Sequence, residues 1–259
     1  MVESGDLVGR QGRVTVREEG GVRFLHLGSE WVQGAMRIAR PWALELEYTR
    51  ELMFALLLRP SGWPRSVLQV GLGAASLTRF LHRFRPRSRL VVVEIAPAVV
   101  AAARQSFKLP DDRARLRIHI GDGYEYMASH ERRFDLIVVD GFDEEGHTGM
   151  LESLPFYASC AARLEEGGLL VANLVDRRRG SVTASAGRLA QAFADRVLVL
   201  PRGVDGNTIA VASASAHRRV SLATLRNRAA KLKEDTGLDL APTLARLTRK
   251  LGEGALLAL

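Results

Sequence analysis

From residue 66 onward, short apolar segments alternate with segments of helical periodicity, and this alternation constrains the fold more than any other feature of the chain. Runs such as SVLQV, RLVVVE and FDLIVVD are almost continuous in Val, Ile and Leu. Strands that are apolar on both faces are typical of a parallel sheet covered by helices on both sides. The last two runs surround Gly203 and Gly206 and predict an antiparallel final strand. We therefore predict an α/β, Rossmann-like fold with a mainly parallel seven-stranded sheet.

The N-terminal part has a different pattern. Residues 13–33 contain short alternating segments on both sides of Gly20-Gly21, a dipeptide typical of a hairpin turn. Residues 42–58 follow Pro41 and carry apolar side chains at helical spacing, which predicts one continuous helix. These patterns predict a small N-terminal β module in front of the main sheet.

The chain divides into three predicted parts. Prolines and glycines at residues 60–64 mark the first boundary. Residues 1–60 are expected to form the β-hairpin module and its connecting helix. Residues 61–215 are expected to form the Rossmann-like domain, with the class I methyltransferase arrangement. Residues 216–259 read as two basic amphipathic helices that pack on this domain or extend it.

Composition limits the class of protein. The chain has 259 residues, of which 47% are hydrophobic and 25% charged, as in an ordinary globular protein. Its single cysteine, Cys160, allows no intramolecular disulfide and suits a reducing compartment, and we expect it to be a buried helix residue. The first residues lack the apolar core of a signal peptide, and no apolar run approaches the roughly 20 residues that span a bilayer. We expect a cytoplasmic protein with no membrane partner.

The net charge of +8 is concentrated near the C-terminus. From residue 218 onward there are nine Lys and Arg residues against four Asp and Glu residues. A basic segment of this kind can bind nucleic acid, but no nucleic-acid-binding motif accompanies it. We therefore expect a solvated helix face here and no nucleic-acid partner.

Ligands of open α/β sheets bind beyond the carboxyl ends of the strands, and the first two strand ends carry suitable groups. Gly71 and Gly73 follow the first strand, where glycine lets the backbone turn tightly and approach a ligand. Glu94 ends the second strand, and a carboxylate there can accept hydrogen bonds from both hydroxyls of an adenosine ribose. The spacing of these residues predicts a nucleoside site.

Acidic residues also follow the third and fourth strands. Asp122 lies between two glycines, and it can accept the adenine amino group, cap the following helix, or do both through separate oxygens. The neighbouring Gly123 leaves room for the ring. Asp140 and Asp143 share one short loop, so the same crevice is predicted to contain two further carboxylates.

Three other kinds of site fit the sequence poorly. No Lys-Ser/Thr pair follows the glycines, so the turn is not a P-loop. Ser76 occupies the third position of a GxGxxG motif, and no Tyr-x-x-x-Lys pair is present, which argues against an NAD-dependent dehydrogenase. The six histidines are scattered without ligand spacing, so we expect no metal.

Together, the motifs resemble the spermidine/spermine synthase family of aminopropyltransferases over about residues 14–212. They are VLQVGLGAASL, VVVEI, HIGDGYEYM, FDLIVVDGFD and PFYASCAARLEEGGLLVANL. Gln33 stands where the family has a glutamine before its main helix, and Tyr48 matches a tyrosine on that helix. The resemblance implies aminopropyl transfer from decarboxylated S-adenosylmethionine to an amine or polyamine, release of methylthioadenosine, and a homodimer.

The resemblance also implies roles for individual residues. Glu94 would hold the ribose, and Asp122 with Gly123 the adenine. Asp140 would bind the reacting amine, and Asp143 the acceptor polyamine. A nucleophilic amine must be neutral, yet an ammonium of pKa near 10 is only about 0.1% neutral at pH 7. Asp140 could orient that ammonium and accept its proton.

The chain departs from the family at three places, which keeps two alternatives open. Glu144 follows the second loop acid, where the family normally has a proline. Ala74 replaces an Asp that helps to bind the donor's amine, and Thr49-Arg50 replaces a Gln or His followed by Glu. One alternative is an S-adenosylmethionine-dependent methyltransferase, although Gln69 stands where many of these enzymes carry an acid. The other is a nucleoside-binding homologue without catalytic activity.

Overall fold

The computed structural model describes residues 7–9, 12–28, 30–143, 147–176, 180–215 and 219–259. These residues form three β-sheets, of four, seven and two strands. Within the same ranges, no helix has both the length and the apolar character needed to cross a membrane.

The N-terminal sheet is an antiparallel meander. Its strands are β1 (Leu7–Gly9), β2 (Gly12–Glu19), β3 (Val22–Leu27) and β4 (Val32–Arg37). Gly20 and Gly21 form the turn between β2 and β3, and their φ angles of 57° and 75° lie in the left-handed region that favours glycine. The predicted hairpin is confirmed, with Glu19 paired to Val22.

The predicted continuous helix over residues 42–58 is wrong. The structure has a short helix, α1 (Glu47–Leu52), followed by a 3₁₀ helix (Met53–Leu57). The guanidinium of Arg50 donates to the carbonyl oxygens of Leu44 and Glu45, at 3.4 and 3.2 Å. Because this side chain satisfies the two carbonyl groups, they need no helical hydrogen bonds, and the helix can begin after them. The apolar residues after α1 instead reflect complete burial, because every residue of the 3₁₀ helix lies in the core.

The central sheet contains the seven predicted strands. They are β5 (Ser66–Val70), β6 (Arg89–Glu94), β7 (Leu116–Ile120), β8 (Phe134–Val139), β9 (Leu164–Val175), β10 (Val197–Val199) and β11 (Asn207–Ser213). Their spatial order is β10-β11-β9-β8-β5-β6-β7. The pairs from β7 to β9 are parallel, and β11 runs antiparallel to both of its neighbours. The mainly parallel sheet with a late antiparallel strand is confirmed.

Helices cover both faces of this sheet. They are α2 (Ser76–Phe84), α3 (Pro97–Ser106), α4 (Gly123–Ser129), α5 (Leu154–Ala162) and α6 (Ser181–Ala192). In β8, Leu136 and Val138 belong to one core layer, whereas Ile137 and Val139 belong to the other. Because both faces are buried, the strands read as almost continuous apolar runs.

The strand order reverses at β5, which lies between β6 and β8. The strands β6 and β7 lie on one side of β5, and β8 and β9 lie on the other side. The connections on the two sides diverge, which opens a crevice at the carboxyl ends of the strands. This crevice lies where the sequence predicts the nucleoside site.

Two C-terminal helices pack on the main domain. They are α7 (Leu222–Thr236) and α8 (Ala241–Leu251). Their buried residues, including Leu225 and Leu247, join the same core layer as the residues of α1. A two-stranded sheet that the sequence analysis did not predict flanks them, formed by β12 (Arg219–Ser221) and β13 (Leu256–Ala258).

Candidate active site

A single crevice of about 890 Å³ contains all of the site residues that the sequence predicts. They are Gln33, Tyr48, Gly71, Gly73, Glu94, Asp122, Gly123, Asp140 and Asp143. These residues come from β4, α1 and the ends of β5, β6, β7 and β8, so the fold gathers groups that are more than 100 positions apart in sequence. The volume lies within the usual range for small-molecule sites.

The glycine turn after β5 is shaped by its contact with β8. Gly71 has a φ of 91°, and a Cβ atom at this position would lie 2.1 Å from the carbonyl oxygen of Asp140. Only glycine can therefore occupy this position without displacing the backbone. Its amide donates to the carbonyl of Val93 at 2.9 Å, which links the turn to β6 as well. The glycine turn is therefore a structural requirement of the crevice.

Glu94 joins the glycine turn to the end of β6. One carboxylate oxygen accepts a hydrogen bond from the amide of Leu72 at 2.8 Å, and the other from the amide of Ala96 at 2.9 Å. The side chain is buried, and burial raises the pKa of Glu94 although these amides oppose the rise. The backbone amides of Gly73 and Ile95 also act on this carboxylate by hydrogen bonding, so main-chain groups hold Glu94 at the wall of the crevice.

Asp122 has the dual capacity that the sequence suggests. It caps α4, and its Oδ1 accepts hydrogen bonds from the amides of Tyr124 at 2.6 Å and Glu125 at 3.1 Å. Its Oδ2 has no hydrogen-bond partner among the described residues. Gly123 is required beside it, because a Cβ there would lie 2.4 Å from Val70. The cap therefore leaves one oxygen for a ligand.

Apolar side chains surround this end of the crevice. Ile95 is 48% exposed and Met150 is 52% exposed, and both line the crevice together with Leu151. Exposed apolar groups in a concave site are typical of a surface that a flat ligand covers. Sequence reasoning missed them, although Ile95 directly follows Glu94 at a strand end.

On the other side of β5, Asp140 is held by a chain of two asparagines. The Asn173 amide donates to Oδ1 of Asp140 at 2.9 Å, and the Asn207 amide donates to Oδ1 of Asn173 at 2.9 Å. Burial raises the pKa of Asp140 to about 6, and the hydrogen bond from Asn173 opposes that rise. A carboxylate with such a pKa is a better proton acceptor near neutral pH than an ordinary aspartate.

Sequence reasoning missed Asn173 and Asn207, but a signal was present for one of them. Asn173 interrupts the apolar run of β9, and asparagine is depleted in strands. A buried polar residue there needs a hydrogen-bonding partner, which Asp140 and Asn207 supply.

Tyr48 lies over the same region. Its hydroxyl donates to the backbone carbonyl of Gln33 at 3.5 Å. Burial, followed by the negative charges of Asp140 and Asp205, raises the pKa of Tyr48 well above its ordinary value. Tyr48 therefore stays neutral near Asp140 and presents an aromatic face to the crevice. Asp205 belongs to the loop between β10 and β11 and was not predicted.

Asp143 is more exposed than Asp140. Its Oδ1 accepts a hydrogen bond from the amide of His147 at 2.6 Å, and its Oδ2 lies 3.5 Å from Nδ1 of the same histidine. These contacts close a loop at the mouth of the crevice. The segment between the two residues, 144–146, lies outside the described residues.

The described lining of the crevice is strongly negative. The described lining residues include six carboxylates and a single Arg or Lys residue, Arg202. The carboxylates are Glu94, Asp122, Asp140, Asp143, Asp176 and Asp205. Low-dielectric walls lined by one sign of charge concentrate ions of the opposite sign, so the crevice favours a cationic ligand.

Two of the three departures from the family pattern, at Ala74 and Arg50, lie away from the described lining of the crevice. The third, at Glu144, lies outside the described residues. Ala74 is buried against Gly34 of the N-terminal sheet. A Cβ atom added to Gly34 would lie only 2.6 Å from the Cβ of Ala74. Arg50 donates to backbone carbonyls beside α1, as described above. Neither residue lines the crevice. Arg50 is therefore not placed to repel a cationic ligand directly.

Cys160 is buried on α5, and burial raises the pKa of its thiol. The expected structural role of this cysteine is consistent with that position. The residues that the structure describes contain no cluster of three or more His, Cys, Asp or Glu side chains suited to a metal ion.

The strand order defines a class I methyltransferase-like fold, and the crevice lies at its switch point. The family model described as "Spermine/spermidine synthase domain" matches residues 46–178. The polyamine aminopropyltransferase of Neisseria meningitidis serogroup A is 36% identical over 236 residues, which cover 90% of this chain and 88% of the relative. The chain therefore belongs to the spermine/spermidine synthase family.

Solved structures agree with this fold. A probable spermidine synthase from Corynebacterium glutamicum superimposes with a TM-score of 0.75 at 20% identity, over 100% of this chain and 90% of that one. A spermidine synthase in complex with the transition state analogue AdoDATO has a TM-score of 0.65 at 23% identity, over 82% and 73% of the two chains. At these identities the likeness concerns the fold.

Proposed function

We propose that the protein is an aminopropyltransferase that moves an aminopropyl group from decarboxylated S-adenosylmethionine to an amine acceptor and releases methylthioadenosine. The observation that carries this proposal is the position of Asp140. It ends β8 at the switch point, it is held by Asn173, and it shares the crevice with Glu94 and Asp122. Family membership and the name of the Neisseria relative support the same reaction.

In this proposal, the side of the crevice at β6 and β7 binds the nucleoside. Glu94 accepts hydrogen bonds from the ribose hydroxyls, while its contacts with backbone amides keep the carboxylate in place. Oδ2 of Asp122 accepts one from the adenine amino group. Ile95 and Met150 cover the faces of the ring. These groups would bind the donor and the methylthioadenosine product alike.

The opposite side of the crevice binds the acceptor and performs the chemistry. The amine nitrogen attacks the aminopropyl carbon next to the sulfonium, a C–N bond forms, and the C–S bond breaks. Its electron pair goes to sulfur, which becomes the neutral thioether of methylthioadenosine. Asp140 orients the attacking nitrogen and takes its proton. Tyr48 packs against the alkyl chain, and Asp143 pairs with the acceptor's distant ammonium.

The charge of the crevice supports the decarboxylated donor. A carboxylated donor would bring an α-carboxylate into a site whose described lining has six carboxylates and one arginine. Like charges in such a site repel by several kcal/mol, on the order of what is known for mismatched charged interfaces. Gln69 does not offset this, because its amide donates to the carbonyl of Gly71 at 2.7 Å and its Oε1 accepts from Thr78 at 2.8 Å.

The non-catalytic alternative loses one of its two supports. It drew on Ala74 and Arg50, and Arg50 is engaged with backbone carbonyls outside the crevice. Asp140, with a pKa of about 6 and a fixed orientation, is also typical of a working base.

Three further expectations remain proposals. The resemblance to the family supports a homodimer, which light scattering would test. The single cysteine supports a cytoplasmic location. The division at residues 60 and 215 would be tested by limited proteolysis, which should cut first near these boundaries if the three parts are independent units.

The experiment that tests the function is product analysis by mass spectrometry. Purified protein is incubated with decarboxylated S-adenosylmethionine and one acceptor in each of three reactions. The acceptors are putrescine, cadaverine and spermidine. We expect an aminopropylated amine and an equal amount of methylthioadenosine from at least one acceptor. The absence of aminopropylated product with all three amines would remove the assignment as a polyamine synthase.

A further inference from the structure

Two carboxylates on α1 form an unusual pair away from the crevice. Glu47 and Glu51 are one helical turn apart, a spacing at which like charges destabilise a helix. Glu51 is fully buried, and burial raises its pKa. A buried carboxylate without a compensating partner is strongly destabilising, so a cation is required next to this pair.

Arg246 of α8 supplies that cation to both carboxylates. One guanidinium nitrogen donates to Oε1 of Glu47 at 2.8 Å, and a second donates to Oε1 of Glu51. Thr243, one turn earlier on α8, donates to the same oxygen of Glu51 at 3.0 Å. The planar fork of arginine is suited to bridging two acceptors, whereas lysine offers a single point charge.

The second oxygen of Glu47 holds the loop between β10 and β11. Its Oε2 accepts a hydrogen bond from the amide of Val204 at 2.8 Å. The adjacent Gly203 lies so close that a Cβ there would be 3.2 Å from Oε2 of Glu47 and 3.3 Å from Oε2 of Glu51. The loop therefore rests directly on the paired carboxylates, and Glu47 connects it to α8.

The other side of this loop faces the acceptor end of the crevice. Arg202, Asp205 and Asn207 all line the crevice, and Asn207 begins the hydrogen-bond chain that ends at Asp140. Arg246 itself does not line the crevice. Any effect of Arg246 on a ligand must therefore pass through Glu47 and the loop.

We propose that Arg246 is a positioning residue for acceptor binding: by bridging Glu47 and Glu51, it keeps the β10–β11 loop in the place where Asp205 and Asn207 face the acceptor. The inference rests on the proposed function only for the nature of the acceptor. The position of the loop is a separate property that can be measured without any reaction.

The test uses three variants in the full chain. Arg246→Gln removes the charge, and Arg246→Lys retains it without the fork. Glu47→Gln keeps the buried Arg246–Glu51 pair but turns an amide donor toward either Val204 or Arg246. It therefore tests the link from Arg246 through Glu47 to the loop even if Arg246→Gln folds poorly. Arg226→Gln is the matched control, because Arg226 bonds Thr248 and Glu253 within the C-terminal segment and does not contact α1.

Hydrogen exchange provides the first measurement. The amide of Val204 is protected by Glu47, so exchange in peptides that cover the loop should accelerate about tenfold in Arg246→Gln and Glu47→Gln, the effect of losing one hydrogen bond to a charged group. Arg246→Lys should fall between these variants and the wild type, and Arg226→Gln should match the wild type. Unchanged loop exchange in both Arg246→Gln and Glu47→Gln would overturn the proposal.

Kinetics provide the second measurement, with putrescine as the acceptor. KM for putrescine should rise roughly fivefold to tenfold in Arg246→Gln and Glu47→Gln, while the Kd for methylthioadenosine stays within about twofold of the wild type. A parallel rise of both constants would show general damage and contradict the proposal. If the wild type makes no product from putrescine, cadaverine or spermidine, the proposed function fails, and loop exchange alone then decides whether Arg246 positions the loop.

Discussion

The two ends of the crevice are built in different ways. The end proposed to bind the nucleoside consists of groups at or just after the ends of β5, β6 and β7, and its carboxylates are held by nearby backbone amides, as Glu94 is by the amides of Leu72 and Ala96. The end proposed to bind the acceptor is assembled from α1, the end of β8, β9, and the β10–β11 loop with the start of β11. There the side chains of Asn207, Asn173 and Asp140 form a hydrogen-bonded chain. One end therefore follows from the sequence around the strand ends, whereas the other depends on contacts between side chains that are distant in sequence.

The largest effect should come from Asp140→Asn. This change keeps the shape of the side chain and removes the proton acceptor, so the rate of transfer should fall by roughly 10²- to 10⁴-fold. Binding of methylthioadenosine, measured by calorimetry, should stay within about twofold, because Asp140 lies on the other side of β5. Asp111→Asn, at an exposed loop position, is the control. Loss of nucleoside binding in Asp140→Asn would show that the two ends are not separable.

Glu94→Gln should have the next largest effect, at the nucleoside end. Glutamine keeps one accepting oxygen but replaces the other with an amide nitrogen, which donates where the carboxylate accepts, so the Kd for methylthioadenosine should rise by roughly tenfold to a hundredfold. KM for putrescine, measured at saturating donor, should change much less. Glu131→Gln, at an exposed position, serves for comparison. An unchanged Kd would exclude Glu94 from the nucleoside site.

Asn173→Leu should change the pH dependence of the reaction. A base must be ionised to work, so the rate should decline as the pH falls through the Asp140 pKa of about 6. The hydrogen bond from Asn173 lowers that pKa, and its removal should therefore move the decline to higher pH. We expect a loss of roughly tenfold at pH 6 and less than about twofold at pH 8.5. The exposed Asn227→Leu should keep the wild-type profile, and a profile that moves to lower pH would contradict the assignment.

The smallest effect is expected from Arg50→Ala. Its two hydrogen bonds to carbonyl oxygens near α1 should contribute about 1 kcal/mol to the free energy of unfolding, which thermal denaturation would detect. KM for putrescine should change by less than about twofold, because the side chain does not line the crevice. A large decrease of KM would mean that Arg50 repels the acceptor after all.

The same difference explains how far the sequence could predict the site. The apolar runs of β5 to β8 show in the sequence where each strand ends, and glycines and acids stand at these ends. The parallel order of the strands brings those residues together. The asparagine chain joins residues 34 positions apart, and the link from Arg246 to Glu47 spans 199 positions. No local pattern encodes such contacts. The wrong prediction of a long helix has a related cause, since the apolar spacing of residues 53–57 reflects burial in a 3₁₀ helix.

A competition between two donors tests the central claim most directly. The wild-type protein is incubated with putrescine and equal concentrations of decarboxylated and intact S-adenosylmethionine, and the thioether products are separated by mass. We expect methylthioadenosine, in an amount equal to the aminopropylated amine, and no S-adenosylhomocysteine. Formation of S-adenosylhomocysteine with a methylated amine, and no aminopropylated product, would contradict aminopropyl transfer and show that the crevice serves methyl transfer.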